Sequence, residues 1–234
     1  MSIGKANCLI CEAPIVYNDE AIEVTCAICG KQEKGHCTCS EGHYVCDDCH
    51  RKEGVAAGLA FAAHTDSANP IFILNRMMAD KSIYPNGPEH HTLVGAALVA
   101  AYANAGGDID KESALNELRQ RSIQVPGGTC GFWGCCGAAI SAGQFMSIIL
   151  KASPMTPEPW GTVQKLTSII LGRLAEIGGP RCCKRTGFTA ILCTIDYVAE
   201  VTGVQMIKPE NVKCAFSSRN GECLKERCPY YPAG

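Results

Sequence analysis

The chain has 234 residues, 17 of them cysteine, and its 21 basic and 23 acidic side chains give a formal net charge of −2. This balance argues against broad electrostatic binding to nucleic acid or to an anionic membrane, because a protein surface that binds them needs a clear excess of positive charge. The opening stretch "MSIGKANCLIC" has no basic segment ahead of an apolar run, so it predicts no signal peptide.

The number and spacing of the cysteines indicate the cellular compartment and the chemistry of the protein. Without an export signal, and with many cysteines at Cys-x2-Cys spacing, metal binding or redox chemistry is favoured over structural disulfides. So many thiols are an oxidation hazard. We therefore expect a cytoplasmic protein of an anaerobic or microaerobic cell.

Three Cys-x2-Cys pairs, together with a Cys-x3-His half-site, lie in the first 50 residues. Such a turn directs two sulfurs at one tetrahedral ion, and two half-sites complete the coordination. A segment this short has too few apolar residues to build a core unaided. The pattern predicts a zinc module over residues 1–52, holding two structural ions through Cys8, Cys11, Cys26, Cys29, Cys39, His43, Cys46 and Cys49.

Two pairings of these half-sites remain open. The run Cys39-x3-His43-x2-Cys46-x2-Cys49 resembles the central ligand run of RING-type cross-brace zinc modules. That resemblance implies that the second and third Cys-x2-Cys pairs share one ion, while the first pair joins Cys39 and His43 at the other. A RING module would use a downstream pair instead, which argues against ubiquitin-ligase activity. In a ribbon-like module, the first two pairs share one ion and the last four ligands share the other.

Apolar periodicity, caps and breakers predict a mainly α fold for the rest of the chain, with no doubly wound sheet. We expect an all-helical domain over residues 53–205 and a cysteine-containing tail over 206–234. A helix rich in small residues should lie centrally, because such residues let helix backbones approach closely. The uncharged stretch 130–150 is long enough to span a bilayer, but its glycines, cysteines and polar residues favour a buried helix. The predicted helices cover 54–64, 69–80, 86–107, 110–122, 138–152, 160–179 and 186–203.

Two glycine–cysteine loops each precede a predicted helix: "GGTCGFWGCC" (127–136) and "GGPRCCKR" (178–185). A helix N-terminus favours a thiolate and lowers the pKa of a cysteine. We expect the loops to meet around one pocket, with Arg181 and Lys184 at its rim and Phe132 and Trp133 shielding it from water. The cysteines expected to bind a cofactor there are Cys130, Cys135, Cys136, Cys182 and Cys183.

Several chemistries fit such a pocket. An iron–sulfur cluster could use Cys130 and one cysteine from each adjacent pair, which would leave one iron open to substrate. The adjacent cysteines could instead cycle between dithiol and disulfide, or one could act as a nucleophile with a histidine base. Plain packing of small residues is the structural alternative. The candidate catalytic residues are Cys135, Cys182, His90, His91 and Arg181, and the expected substrate is a small anionic or sulfur-containing molecule.

The tail carries Cys214, Cys223 and Cys228. Three cysteines cannot close a zinc site by themselves, so they would borrow a ligand from elsewhere or share a cluster with a partner. Pro229 after Cys228 is similar to the Cys-Pro of ferredoxin cluster loops.

The motif order resembles an uncharacterised cysteine-rich domain family of anaerobic bacteria and archaea, some of whose members are fused to methyltransferase-like or radical-SAM-like modules. The matching stretches are "GHYVCDDCH", "GPEHHTLVGAAL", "GTCGFWGCCGAA", "GGPRCCKR" and the terminal "CPYY". From the residues we expect a cytosolic metalloprotein that uses an iron–sulfur cluster or related metal–thiolate centre for sulfur-related or redox chemistry, and we favour an enzyme. The alternatives are a zinc-stabilised adaptor that docks a protein partner, and an accessory to a methyl-transfer enzyme.

Overall fold

The computed structural model describes residues 7–232. The N-terminal module is an antiparallel hairpin followed by a helix. Strands β1 (Ile15–Thr25) and β2 (Gln32–Cys39) pair with Ile15 opposite Cys39 and Thr25 opposite Gln32. Helix α1 (Asp47–His64) follows directly. The hairpin and helix fit the small zinc module predicted for this segment.

Helix α1 also joins the module to the rest of the chain. Its first turn carries Asp47 and Asp48, whose negative charge suits a helix N-terminus. The helix continues without interruption across the predicted boundary at 52/53 and packs on the helical domain. The predicted helix began only at residue 54, because the metal-ligand pattern covers the first turn.

Each of the seven predicted helices has a counterpart, and the mainly α fold is confirmed. Asn69 caps the second helix by accepting from the Phe72 N–H at 3.0 Å, and Asp110 caps the fourth by accepting from the Ser113 N–H at 2.7 Å. One short helix, α5, was not predicted. After α1 come α2 (Pro70–Met78), α3 (His90–Asn104), α4 (Lys111–Ser122), α5 (Thr129–Phe132), α6 (Gly137–Ile149), α7 (Pro157–Ile177) and α8 (Cys183–Thr202).

Helix α3 is the centre of the helical domain, as its small residues predict. It packs against α1, α2, α4, α6 and α8. The uncharged stretch 130–150 includes part of α5 and all of α6, whose Phe145 and Met146 are buried in the core. Among residues 7–232, no helix combines the length and the hydropathy that crossing a bilayer requires.

Gly95 in α3 provides a test of this close packing. A Cβ placed there would lie 2.6 Å from Leu118 Cδ1 and 2.9 Å from Ser141 Oγ. We expect Gly95→Ala to lower the free energy of unfolding by about 1–3 kcal/mol, because overpacking outweighs the gain in helix propensity. Gly172 in α7 is exposed with open space around it, so Gly172→Ala should raise stability by roughly 0.5–1 kcal/mol. Urea unfolding of both variants measures the contrast, and equal shifts would contradict it.

Candidate metal centres and thiol cleft

The eight predicted zinc ligands form two groups, and in each group the four ligand atoms all lie within 4.8 Å of one another. One group contains Cys26 and Cys29 from the turn after β1, and Cys46 and Cys49 at the start of α1. The other combines the first Cys-x2-Cys pair with the half-site that ends β2: Cys8, Cys11, Cys39 and His43. The cross-brace pairing is therefore confirmed, and the ribbon-like pairing is wrong.

The spacing within both groups fits a tetrahedral ion. Cys11 Sγ lies 3.7 Å from Cys39 Sγ, and Cys29 Sγ lies 3.7 Å from Cys46 Sγ. His43 Nδ1 lies 3.3 Å from Cys11 Sγ. Four thiolates at about 2.3 Å from one zinc ion would be separated by roughly 3.8 Å. The donor set and its geometry therefore fit zinc, with all four positions filled by protein.

Backbone N–H groups donate hydrogen bonds to several of these sulfurs and so favour the thiolate form that binds a cation. The N–H of Cys46 donates to Cys26 Sγ at 3.4 Å, and that of His43 donates to Cys39 Sγ at 3.2 Å. Burial raises the pKa of Cys26, but N–H donors from Cys46, Cys29 and Ile28 outweigh it and bring the pKa to about 6. A low pKa favours the thiolate that a metal ion binds.

A cleft of about 1300 Å³ lies between the N-terminal module and the helical domain. Both glycine–cysteine loops line it, as predicted, and the module contributes strand β2 from the opposite side. This volume suits a small molecule rather than a single ion. Five cysteines belong to the lining: the predicted zinc ligand Cys8, and Cys37, Cys130, Cys136 and Cys183.

The two loops do not bring all five predicted cofactor cysteines into this cleft. Cys135 is half-buried outside its lining. Cys182 is the N-cap of α8, where its sulfur accepts from the Arg185 N–H, and it lines a different cavity. Cys182 and Cys183 therefore face two separate spaces, although they are adjacent in sequence.

The cavity that Cys182 lines contains the cysteines of the tail. The tail packs back on α8: the Cys214 N–H donates to the Tyr230 carbonyl at 2.7 Å, and the Tyr230 and Thr189 hydroxyls lie 2.9 Å apart. The space is about 10 Å³, roughly the room of one buried water. Its lining includes four cysteines: Cys182, Cys214, Cys223 and Cys228. Cys182, at the start of α8, thus joins the three cysteines of the tail in one lining.

The loop thiols are less acidic than their positions at helix N-termini suggest. Burial raises the pKa of Cys135, and it also raises the pKa of Cys183. The expectation that the helix dipole would lower thiol pKa values in these loops is wrong for these two residues, because desolvation of the charged form is the larger effect.

The adjacent side chains of His90 and His91 also face different surroundings. His91 lines the cleft, and its Nδ1 lies 3.2 Å from the Val125 carbonyl oxygen. His90 is buried, with Nε2 at 2.8 Å from Lys184 Nζ. Burial lowers the pKa of His90 to about 4, so its neutral ring accepts a hydrogen bond from the Lys184 ammonium. Of the two predicted bases, only His91 reaches the cleft.

The predicted rim and walls are partly wrong. Arg181 lines the cleft, with its guanidinium 3.4 Å from Glu222 Oε1 and in contact with the Tyr17 hydroxyl. Lys184 is buried and lines the four-cysteine cavity instead. Phe132 and Trp133 are 45% and 66% exposed, so they cannot exclude water as expected.

A carboxylate-centred cluster at the start of α3 was not predicted from the sequence. Glu89 is completely buried, with Oε2 at 3.1 Å from His50 Nδ1 and Oε1 at 3.3 Å from His90 Nδ1. Burial raises the pKa of Glu89, but the two imidazoles outweigh it and hold the pKa well below its usual range. A glutamate just before a helix is an ordinary first-turn residue in sequence, so nothing there signals its partners.

Together, these features define a cysteine-rich, mainly α protein with two N-terminal sites that could hold metal ions. The family of unknown function DUF5714 matches residues 59–231, and the chain belongs to this family. The match includes the cleft cysteines of both loops and all four cysteines of the tail cavity, whereas the two N-terminal groups precede it. No curated protein and no solved structure matches the chain.

Proposed function

We propose that this protein is a metal–thiolate protein that carries out sulfur-related or redox chemistry on a small anionic molecule bound in the cleft. The two N-terminal zinc ions are structural, because protein ligands fill all four of their positions and leave no site for a reacting water. Their role is to hold strand β2 and the start of α1 in place as one wall of the cleft.

One observation carries the proposal: the opposite orientation of Cys182 and Cys183. Cys182 lies in a cavity of four cysteines, and Cys183 lies in the cleft that both glycine–cysteine loops line. In this proposal, Cys182 belongs to a metal–thiolate centre, and the next residue, Cys183, faces the substrate space. Core packing of small residues does not account for thiols gathered on both sides.

Arg181 is the residue that we assign to the anionic part of the substrate. Its side chain is 30% exposed in the cleft, and its carboxylate partner Glu222 is 3.4 Å away. A guanidinium binds oxyanions through paired donors. Cys183 and Cys136, also in the lining, supply the thiols for the sulfur atom of the substrate.

Binding of thiosulfate, a sulfur-containing dianion, tests this assignment. Trp133 lines the cleft, so a Trp160→Phe background leaves it as the single tryptophan reporter. We expect thiosulfate to change its fluorescence, and Arg181→Gln to weaken binding by about tenfold through loss of a charge-assisted hydrogen bond.

The matched control is Arg173→Gln, which removes an exposed arginine of α7 paired with Glu176. It should leave thiosulfate binding unchanged. No fluorescence response to thiosulfate in protein with full zinc content would overturn the cleft as a substrate site. A response equally strong with sulfate would remove the sulfur-specific part of the proposal.

The exposed Trp133 favours the adaptor as the second candidate, because a large aromatic side chain that is 66% exposed is typical of protein contacts. In that case Trp133→Ala would abolish association with a protein partner, while Arg181→Gln would leave that association unchanged.

A further inference from the structure

We propose that Cys182, Cys214, Cys223 and Cys228 bind a [4Fe–4S] cluster between the start of α8 and the tail. The assignment rests on the proposed function in one respect, namely that the helical domain carries a metal–thiolate centre. It differs from the sequence-based prediction, which placed a cluster between the two glycine–cysteine loops.

The first line of support is that the sulfurs are already hydrogen-bonded as metal-bound thiolates are. The Phe216 N–H donates to Cys214 Sγ and the Lys225 N–H donates to Cys223 Sγ, both at 3.4 Å. In both cases the donor is two residues after the cysteine. The zinc module has the same arrangement, where the Ile10 N–H donates to Cys8 Sγ at 3.4 Å. N–H donors to cluster sulfurs are among the features that tune iron–sulfur centres.

Cys182 receives two such donors. The Arg185 N–H lies 3.4 Å from its sulfur, and the Asn220 side-chain amide donates to it from 3.3 Å. Asn220 is buried in the tail, so this bond ties the tail to the start of α8 at the sulfur itself. A sulfur that accepts two N–H groups in a buried cavity is well suited to carry negative charge.

The separation of the sulfurs disfavours a single tetrahedral ion. Within residues 7–232, no three of these four sulfurs lie within 4.8 Å of one another, whereas all the ligands of each N-terminal group do. One zinc ion would need about 3.8 Å between them. A [4Fe–4S] core spaces its thiolate ligands by roughly 6 Å.

The charge of the cavity is the strongest argument. Lys184 and Arg185 line it, are 2% and 4% exposed, and no carboxylate belongs to the lining. In the described part of the chain, neither cation has a carboxylate within 4.0 Å. Lys184 reaches the carboxylate of Glu89 only through His90. Burying the two cations with no carboxylate in direct contact is costly. An oxidised [4Fe–4S] cluster with four thiolates has a net charge of −2 and supplies that counter-charge.

The test is anaerobic reconstitution of the full chain with ferrous iron and sulfide. We expect about four iron and four sulfide per chain, with brown colour and absorbance near 400 nm. Cys182→Ser and Cys214→Ser should each lower bound iron several-fold. Cys183→Ser, which changes the adjacent cleft residue, and Cys193→Ser, within α8, should retain it.

Other outcomes would overturn the assignment. Iron retained by Cys182→Ser but lost by Cys183→Ser would move the cluster to the cleft. A third zinc ion in place of iron, or no metal at all, would exclude a cluster. Because a variant could misfold, alkylation of the wild-type chain provides a second measurement: reconstitution should protect Cys214, Cys223 and Cys228 from iodoacetamide, read by mass spectrometry. Thiosulfate binding reports on the cleft separately, so the two proposals can fail independently.

Discussion

Cys46→Ser is expected to remove about one of two zinc ions and to unfold the N-terminal module. Cys46 is 1% exposed, and its sulfur lies 3.7 Å from that of Cys29 in the group at the start of α1. Structural zinc contributes apparent binding free energies of about 10–16 kcal/mol that act as folding free energy in small modules. The hairpin alone has few buried apolar residues, so loss of one ion should leave it without a stable fold.

The control for this variant lies within the same segment. Cys37 is in β2 two residues before the ligand Cys39, but it belongs to neither group. Cys37→Ser should keep both zinc ions, and Cys39→Ser should lose one. Zinc analysis together with amide hydrogen exchange over residues 7–46 measures both effects. A Cys46→Ser protein with two zinc ions and a protected hairpin would contradict the cross-brace assignment.

Glu89→Gln is expected to lower the free energy of unfolding by roughly 1.5–3 kcal/mol, the usual contribution of hydrogen bonds made to a charged group. The carboxylate joins His50 of α1 to His90 of α3, so its loss affects the contact between the two helices. Urea unfolding at pH 7 measures the change. Glu112→Gln, at an exposed position in the first turn of α4, is the matched control and should change stability by less than about 0.5 kcal/mol.

The stability difference between wild type and Glu89→Gln should depend on pH, and the pKa of Glu89 fixes the sign of that dependence. The pKa of Glu89 is lower in the folded than in the unfolded chain, so its stabilising contribution is complete above the unfolded value of about 4.3. That contribution is lost as the pH falls from there towards the folded value. The stability difference between wild type and Glu89→Gln should therefore stay constant from pH 7 to about pH 5 and shrink below it. A difference that grows on acidification would contradict the ionised state of Glu89.

The sequence predicts the elements of this protein well, because their signals are local. Asn69 before Pro70 marks the start of α2, and the small residues around Gly95 mark α3 as central. The three Cys-x2-Cys pairs likewise identify their own ligands. In each case the residues that carry the signal lie within a few positions of the structure they specify.

The missed features depend on contacts between distant segments. The pairing of the zinc half-sites is open in sequence, because both pairings use the same eight ligands. Cys182 and Cys183 have similar sequence surroundings, and only the packing of the tail against α8 gives them different partners. The raised pKa values of Cys135 and Cys183 also depend on distant segments, because burial by other elements outweighs the effect of the local helix dipole.

Anomalous X-ray diffraction at the iron and zinc edges, from crystals of anaerobically reconstituted protein, tests the separation of the metal centres most directly. We expect two zinc peaks, one in each N-terminal group, and iron density enclosed by Cys182, Cys214, Cys223 and Cys228. Iron density between the two glycine–cysteine loops, or a zinc peak inside the four-cysteine cavity, would contradict that expectation.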